Sequence, residues 1–188
     1  MDDAARSPGV ASREPQPSRQ SRPEFESFFR TRFAEVARAM MLVAHDRDLG
    51  EQLAQESFTR LFEHWAEIES EDHALRFAYR TALNLASSHH RRERRWRTLR
   101  AQLGDELARP SVPGPEAAVA DRAEVFAAMR GLSAKQRECV VLVDYVGLDD
   151  DEAGATLGIA ASTVRVHLTR GRRALRVALG ASEEEVES

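Results

Sequence analysis

The sequence contains a single cysteine, Cys139, among 188 residues. One thiol excludes an intrachain disulfide and excludes a metal site built from several cysteines. Because Cys139 begins the apolar run Cys139–Val143, we expect its thiol to be buried and chemically inert. The cysteine content therefore gives no basis for a redox function.

Long apolar runs are also lacking. No stretch approaches the roughly 18 to 20 apolar residues that span a bilayer, and the N-terminal segment MDDAARSPGV lacks the basic-then-apolar pattern of a secretion signal. The composition, with 42% hydrophobic and 31% charged residues, is typical of a globular protein. These features predict a protein that stays in the cytoplasm.

Lysine is nearly absent, since Lys135 is the one lysine among 27 basic residues. Eight arginines and a single acid lie within residues 76–100, although the whole chain has a formal net charge of -4. The same segment contains Phe77, Tyr79 and Trp96. Arginines neutralise phosphates and aromatic rings stack on unpaired bases, so this pattern indicates a surface that binds nucleic acid.

The six histidines are dispersed along the chain and show no spacing typical of a zinc site or a catalytic centre. His89 and His90 are adjacent, but they lie inside the arginine-rich segment, with no nearby acid patterned as a metal ligand. We expect these imidazoles to be solvated or to face phosphates. The sequence thus predicts no metal, no cofactor, no catalytic residue and no enzymatic activity.

The N-terminal half is predicted to be helical after a polar start. Residues 1–23 are rich in Ser, Pro, Arg and Gln and predict a disordered arm, since they cannot bury enough apolar surface. Apolar residues then recur at steps of three and four from Phe25 to Val43, which predicts one helix. A second helix is predicted from about Asp48 to Trp65 and a third from near Ala74. Residues 24–99 would form the first domain.

The third predicted helix has two different faces. At about 100° per residue, small and apolar side chains such as Leu75, Ala78 and Ala82 share one side. The opposite stripe consists of Arg76, Arg80, Asn84, Ser88, Arg91 and Arg95. Phe77 lies toward the basic side, where it either borders the core or stacks on an unpaired base. One face of this helix is therefore predicted to be core and the other to be a polyanion surface.

A proline- and glycine-containing segment separates the two halves. Pro110, Pro113, Gly114 and Pro115 break any helix, so residues 100–115 are predicted to be a flexible linker. Residues 116–179 would form a second domain, which is followed by the acidic tail 180–188.

The second domain has clear helix signals. Ser133 with Gln136, and Asp149 with Glu152, have the spacing of capping boxes and predict two helix starts. A glycine turn and a last helix over about 161–179 follow, and this helix contains arginines but no acid. A short helix, a glycine turn and a basic helix predict a helix-turn-helix, whose second helix enters the major groove of DNA.

The order of these features resembles an extracytoplasmic-function sigma factor, a small bacterial sigma subunit with two helical domains, called two and four. The resemblance covers about Phe25 to Leu179 and implies an all-α fold. It assigns the segment from Asp48 to Phe58 to the surface that binds core RNA polymerase. The polymerase-binding candidates are Asp48, Glu51, Gln52, Leu53, Gln55, Glu56 and Phe58.

The resemblance also assigns two DNA-binding segments. The segment Phe77–Ala86 is similar to the family's promoter-melting region, which captures the unpaired -10 strand, and Phe77 stands at the usual Trp position. The -10 candidates are Arg76, Phe77, Tyr79, Arg80, Asn84, Ser88, Arg91, Arg92 and Arg95. The last helix is similar to the family's -35 reader, with candidates Ser162, Thr163, Arg165, Val166, Thr169, Arg170 and Arg173. Which arginines meet bases and which meet phosphates stays open.

The implied function is that of an alternative sigma factor, with core RNA polymerase and promoter DNA as partners and an anti-sigma protein as a further candidate partner. The polymerase, not the sigma factor, performs the catalysis. A LuxR-like regulator is the main alternative, since Ser162–His167 fits that helix-turn-helix about equally well. A response regulator would have an alternating strand-helix first half, and no strand-rich run precedes residue 115. The helical first half therefore favours the sigma factor.

Overall fold

The structure is a computed structural model that describes residues 22–102 and 120–180. Within these ranges the chain forms helices and no strand, which confirms the all-helical prediction. The helices are α1 (Arg22–Ala44), α2 (Arg47–Glu63), α3 (Glu71–Gln102), α4 (Ala120–Met129), α5 (Ala134–Val140), α6 (Asp150–Leu157) and α7 (Ala161–Ala178). A 3₁₀ turn (Trp65–Glu67) follows α2, and a π-helical turn (Val141–Tyr145) follows α5. No helix in these ranges is long and apolar enough to cross a membrane.

Two helices extend past the predicted domain limits. α1 begins at Arg22, inside the predicted arm, because a proline such as Pro23 is tolerated in the first turn of a helix. α3 begins at Glu71, where Ser70 Oγ accepts a hydrogen bond from His73 N at 3.1 Å, and it continues into the predicted linker. The rest of the arm and linker, and the tail after 180, lie outside the described residues.

The first three helices pack around one core. Its largest fully buried side chains include Val36, Met40, Phe58, Leu61 and Tyr79. α1 and α2 are in close contact at Gly50, where an added Cβ would lie 2.5 Å from the backbone nitrogen of Met41. Gly50 is therefore required by the close contact of two helix backbones.

The second half is organised by its helix caps. The capping boxes of Ser133 with Gln136 at α5, and of Asp149 with Glu152 at α6, are both present as predicted. α6 ends at Gly158, whose φ of 68° is left-handed and favours glycine. The N-cap of α7 is Ala160, which makes no side-chain hydrogen bond. α6 and α7 thus form the predicted helix-turn-helix.

The two halves contact each other through Arg137. Its guanidinium donates hydrogen bonds to the carbonyl oxygens of Met129 (3.2 Å) and Leu132 (3.1 Å) in its own half, and to that of Val43 (2.8 Å) at the end of α1. Nearby, Arg38 Nε donates to Tyr145 Oη at 3.2 Å. In this structure, α1 is therefore docked on the second half.

His45 lies in the same contact region and should make stability depend on pH. Its φ is 56°, and its ring packs edge-on against Phe126 at a centroid distance of 5.1 Å. Burial and then the charge of Arg137 lower the pKa of His45 from 6.5 to about 4, with Arg130 and His90 adding to this. His45 binds a proton more readily in the unfolded chain than in the folded chain. The stability that its neutral ring contributes is therefore fully present above about pH 6.5 and is lost progressively as the pH falls toward 4.

We expect acidification from pH 7 to pH 5 to lower the free energy of unfolding by an amount on the order of 1 kcal/mol through this ring, discounted for its partial exposure. Thermal unfolding of the intact chain and of His45→Asn measures the effect, since asparagine tolerates a positive φ and carries no proton. The variant should lose less stability over this pH range. Equal pH dependence in both proteins would assign the effect to other groups.

Candidate nucleic-acid interface

The basic face of α3 is formed by Arg76, Arg80, Asn84, Ser88, Arg91, Arg92 and Arg95. All of these side chains are exposed except Arg76, which is half-buried. Every residue from 91 to 100 is exposed, and Trp96 retains 55% of its accessible surface. Arg91 donates to Ser88 Oγ at 3.0 Å, and Arg97 pairs with Glu93 at 3.8 Å. Most of this positive charge is therefore free to meet a polyanion.

Tyr79 does not belong to this face. It is fully buried in the core, and its hydroxyl donates a hydrogen bond to Glu35 Oε1 at 3.1 Å. Burial is the main cause that raises its pKa, with Glu35 adding to it. The prediction that Tyr79 contacts DNA is therefore wrong for this structure, because its ring faces α1 and not solvent.

Phe77 borders an open cavity between α2 and α3. The cavity has a volume of about 420 Å³ and is lined by Arg60, Glu63, His64, Phe77, Thr81 and Asn84. The Phe77 ring is half-buried, packs against the core and lies 5.7 Å from the ring of His64. Phe77 thus lies at the edge of the core and lines the cavity at the same time.

Three of the cavity residues come from the end of α2 and were missed by the sequence reasoning. They are Arg60, Glu63 and His64. The pattern of α2 indicates a polymerase-binding helix, and no local signal in it shows that its last turn faces α3. A concave site that combines an aromatic ring with donors and acceptors can accept a flat, polar ligand such as a nucleobase.

One group in the described ranges has metal-ligand chemistry. Ligand atoms of His89, His90 and Glu93 lie within 4.8 Å of one another, so the structure brings an acid to the histidine pair, which the sequence pattern alone did not indicate. Burial and then the charge of Arg137 lower the pKa of His90, which disfavours its protonated form. The arginines around the group oppose a bound cation, and we assign no metal to it.

The candidate polymerase-binding residues of α2 divide into two sets. Asp48, Gln52, Gln55 and Glu56 are exposed and Glu51 is half-buried, whereas Leu53 and Phe58 are 5% and 2% exposed. Leu53 and Phe58 therefore belong to the core of the first half, and their prediction as direct partner contacts is wrong. The apolar side of this amphipathic helix is used by the protein's own fold. The exposed acids and amides remain available.

α7 presents all of its predicted residues to solvent. The exposed set is Ser162, Thr163, Arg165, Val166, Thr169, Arg170 and Arg173. The opposite side is buried through Val164, Leu168 and Gly171. An added Cβ at Gly171 would lie 2.9 Å from Val140 Cγ2, so α7 packs closely on α5. The helix-turn-helix thus offers a mainly polar and basic surface that also includes the exposed side chain of Val166.

Comparisons with known proteins match both halves. Residues 122–175 match the family model for sigma-70, region 4. Over 153 residues, the chain is 30% identical to an RNA polymerase sigma-E factor of Streptomyces antibioticus, with coverage of 81% of this chain and 83% of that protein. An RNA polymerase sigma-E factor of Streptomyces coelicolor is 29% identical over 162 residues, with coverage of 85% and 88%.

Two solved structures share the fold. The sigma factor RpoE of Bartonella quintana, in complex with the anti-sigma factor NepR, aligns with a TM-score of 0.70 and 19% identity over 85% of this chain and 98% of that chain. CnrH, in complex with the cytosolic domain of CnrY, aligns with a TM-score of 0.63 and 20% identity over 87% of this chain and 94% of that chain. At these identities the likeness concerns the fold alone.

Proposed function

Because the chain belongs to the extracytoplasmic-function family of RNA polymerase sigma factors, we propose that its exposed surfaces divide the steps of transcription initiation among them. As an alternative sigma factor, the protein binds core RNA polymerase, directs it to specific promoters and assists DNA melting. The LuxR-like alternative finds no support, since the relatives match the first half as well as the helix-turn-helix.

We assign recognition of the -35 element to α7. The exposed side chains between Ser162 and Arg173 lie on one side of α7, and the opposite side of the helix is buried against the rest of the domain. A helix that inserts into the major groove has this geometry. Arginine forks there can bind guanine or phosphate. α7 and the basic face of α3 are two exposed basic surfaces in different halves of the protein. This observation is the main support for assigning the two promoter elements to separate surfaces.

We assign the unpaired -10 strand to the basic face of α3 and to the cavity beside Phe77. The arginines follow the backbone of a single strand by charge, and a flipped base regains stacking on the Phe77 ring. Asn84 and Thr81 provide hydrogen-bonding groups at the cavity wall. This arrangement combines the two requirements of strand capture, which are neutralised phosphates and a stacking surface.

We assign core polymerase binding to the exposed side of α2. Asp48, Gln52, Gln55 and Glu56 leave an acidic and amide-rich surface that suits a basic partner helix. Glu56 Oε1 pairs with Arg60 Nη2 at 2.9 Å within α2, and both side chains remain about half exposed and accessible to a partner. The surface lies on the same helix whose last turn lines the cavity, so the polymerase-binding and -10 surfaces share one structural element.

Three further assignments complete the proposal. The protein acts in the cytoplasm, where its polymerase partner acts. It performs no catalysis itself, since the polymerase makes the RNA. An anti-sigma protein regulates it, as the solved complex of the Bartonella sigma factor with NepR suggests.

Run-off transcription tests the proposed function. Bacterial core polymerase free of sigma factors is mixed with the full chain and a pooled library of promoter fragments from the host genome. We expect new start sites that require the protein and that share two upstream sequence elements. Sequence-specific binding to duplex DNA without polymerase, together with no dependent start sites, would contradict it and favour a helix-turn-helix regulator.

A further inference from the structure

The arginines of α7 differ in their carboxylate partners. Arg165 Nη1 lies 3.4 Å from Asp150 Oδ2, and Arg172 Nε donates to Asp144 Oδ2 at 3.1 Å. Arg170 and Arg173 have no carboxylate within ion-pair distance among the residues that the structure describes. Of the four, only Arg165 is both a -35 candidate and paired. This difference separates otherwise similar side chains on one exposed surface.

Asp150 is the more fixed member of its pair. It occupies the first position of α6, directly after the N-cap Asp149, whose side chain accepts a hydrogen bond from Glu152 N at 2.8 Å. The positive end of the helix dipole stabilises a carboxylate at this position. The side chain of Asp150 is 29% exposed and that of Arg165 is 61% exposed. One edge of the guanidinium therefore lies beside a carboxylate, while most of the Arg165 side chain stays accessible to solvent.

A carboxylate at this distance changes what the arginine can bind. A phosphate approaching Arg165 meets the negative charge of Asp150 as well, which cancels much of the attraction. The edge of guanine is neutral and offers two acceptors, O6 and N7, which an oriented guanidinium fork can bind together. The pair therefore penalises a backbone contact and favours a base contact.

We propose that Asp150 is a positioning residue that directs Arg165 to a guanine of the -35 element, while Arg170 and Arg173 contact phosphates. The proposal rests on the proposed function, since it names the arginine that reads a base at the same site. It assigns specificity to a side chain of α6 that touches no DNA itself.

The experiment uses holoenzyme assembled from core polymerase and the full chain. It is offered a library of duplex promoters that is randomised upstream of the start sites found by run-off transcription, and bound promoters are sequenced at several salt concentrations. The variants are Asp150→Asn, Arg165→Ala and the double substitution. Asp151→Asn is the matched control, because Asp151 is exposed on the same first turn and forms no ion pair with α7 among the described residues.

We expect Arg165→Ala to abolish a guanine preference at one base pair, and Asp150→Asn to weaken the preference at that same base pair by about tenfold. Asp150→Asn should also bind unmatched promoters more tightly, and its plot of log affinity against log salt should steepen by about 0.9, the value of one added phosphate contact. The double variant should match Arg165→Ala. Asp151→Asn should keep the preference.

Three results would overturn the proposal: an unchanged preference in Asp150→Asn, an equal loss in Asp151→Asn, or losses at different base pairs for Asp150→Asn and Arg165→Ala. The failure of the proposed function is distinct from these, since it would appear as an absence of protein-dependent promoters with the unaltered chain. In that case both proposals fail. Selection of promoters by the unaltered chain, with any of the three results, rejects the role of Asp150 alone.

Discussion

Replacing Gly50 with alanine should destabilise the first half by about 3 kcal/mol, near the upper end of the cost of overpacking a core. The added Cβ would lie 2.5 Å from the backbone nitrogen and 2.6 Å from the Cα of Met41. Alanine is favoured over glycine inside a helix by about 1 kcal/mol. At position 50, however, the added Cβ fits only if α1 moves away from α2. The clash therefore outweighs helix propensity, and the sign of the effect is destabilising.

Urea and thermal unfolding of the full chain measure this effect, and a loss of 3 kcal/mol corresponds to a Tm lower by roughly 6 to 12 °C in a chain of this size. Gly131→Ala is the matched control, because its added Cβ meets only Ala128 O, at 3.4 Å. We expect the stability of Gly131→Ala to be close to that of the unaltered chain. A Gly50→Ala protein as stable as the original would mean that the crossing of α1 and α2 relaxes at low cost.

Replacing Phe77 with alanine should lower transcription from duplex promoters by roughly tenfold to a hundredfold, since stacking of one base on an aromatic ring contributes about 1 to 3 kcal/mol. The ring borders the cavity beside Asn84, and among the described residues it is the one aromatic side chain that α3 contributes to the cavity lining. Phe77→Trp should retain activity, because it keeps a stacking surface. Run-off transcription and open-complex formation measure the loss.

Templates with a pre-melted bubble separate strand capture from folding and from polymerase binding. If Phe77 acts when the strands open, the bubble should restore much of the activity that Phe77→Ala loses. Leu85→Ala is the control, because Leu85 is a half-buried apolar residue of α3 that packs on the core and does not line the cavity. An equal loss on duplex and bubble templates, or an equal loss in Leu85→Ala, would reject the stacking role.

Local signals predicted much of the fold. The caps Ser133 and Asp149 were identified correctly because a capping box depends on residues three positions apart, which the sequence displays directly. The exposed arginines of α3 and α7 were identified for a similar reason. Charged side chains without a partner stay in water, so a stripe of them marks the solvent side of a helix.

The errors arose where a distant part of the chain decides the outcome. Tyr79 is held by Glu35, which is 44 positions away, and no local pattern shows that hydrogen bond. Leu53 and Phe58 lie on the apolar side of an amphipathic helix and are buried in the protein's own core. The spacing of apolar residues is the same whether that side packs on a partner or on the core, so the sequence does not distinguish the two. The cavity at the end of α2 depends on the packing of two helices, which the sequence does not display.

The contact between Arg137 and Val43 has a consequence for genetics. The acceptor is a backbone carbonyl, which every amino acid at position 43 possesses, so no substitution there removes the acceptor itself. Mutations that separate the halves through this hydrogen bond should therefore concentrate at Arg137, and those that act through the neighbouring contact should concentrate at Arg38 and Tyr145. At the end of α1, burial in the core therefore restricts the side chain of Val43, while the docking contact itself depends only on its backbone.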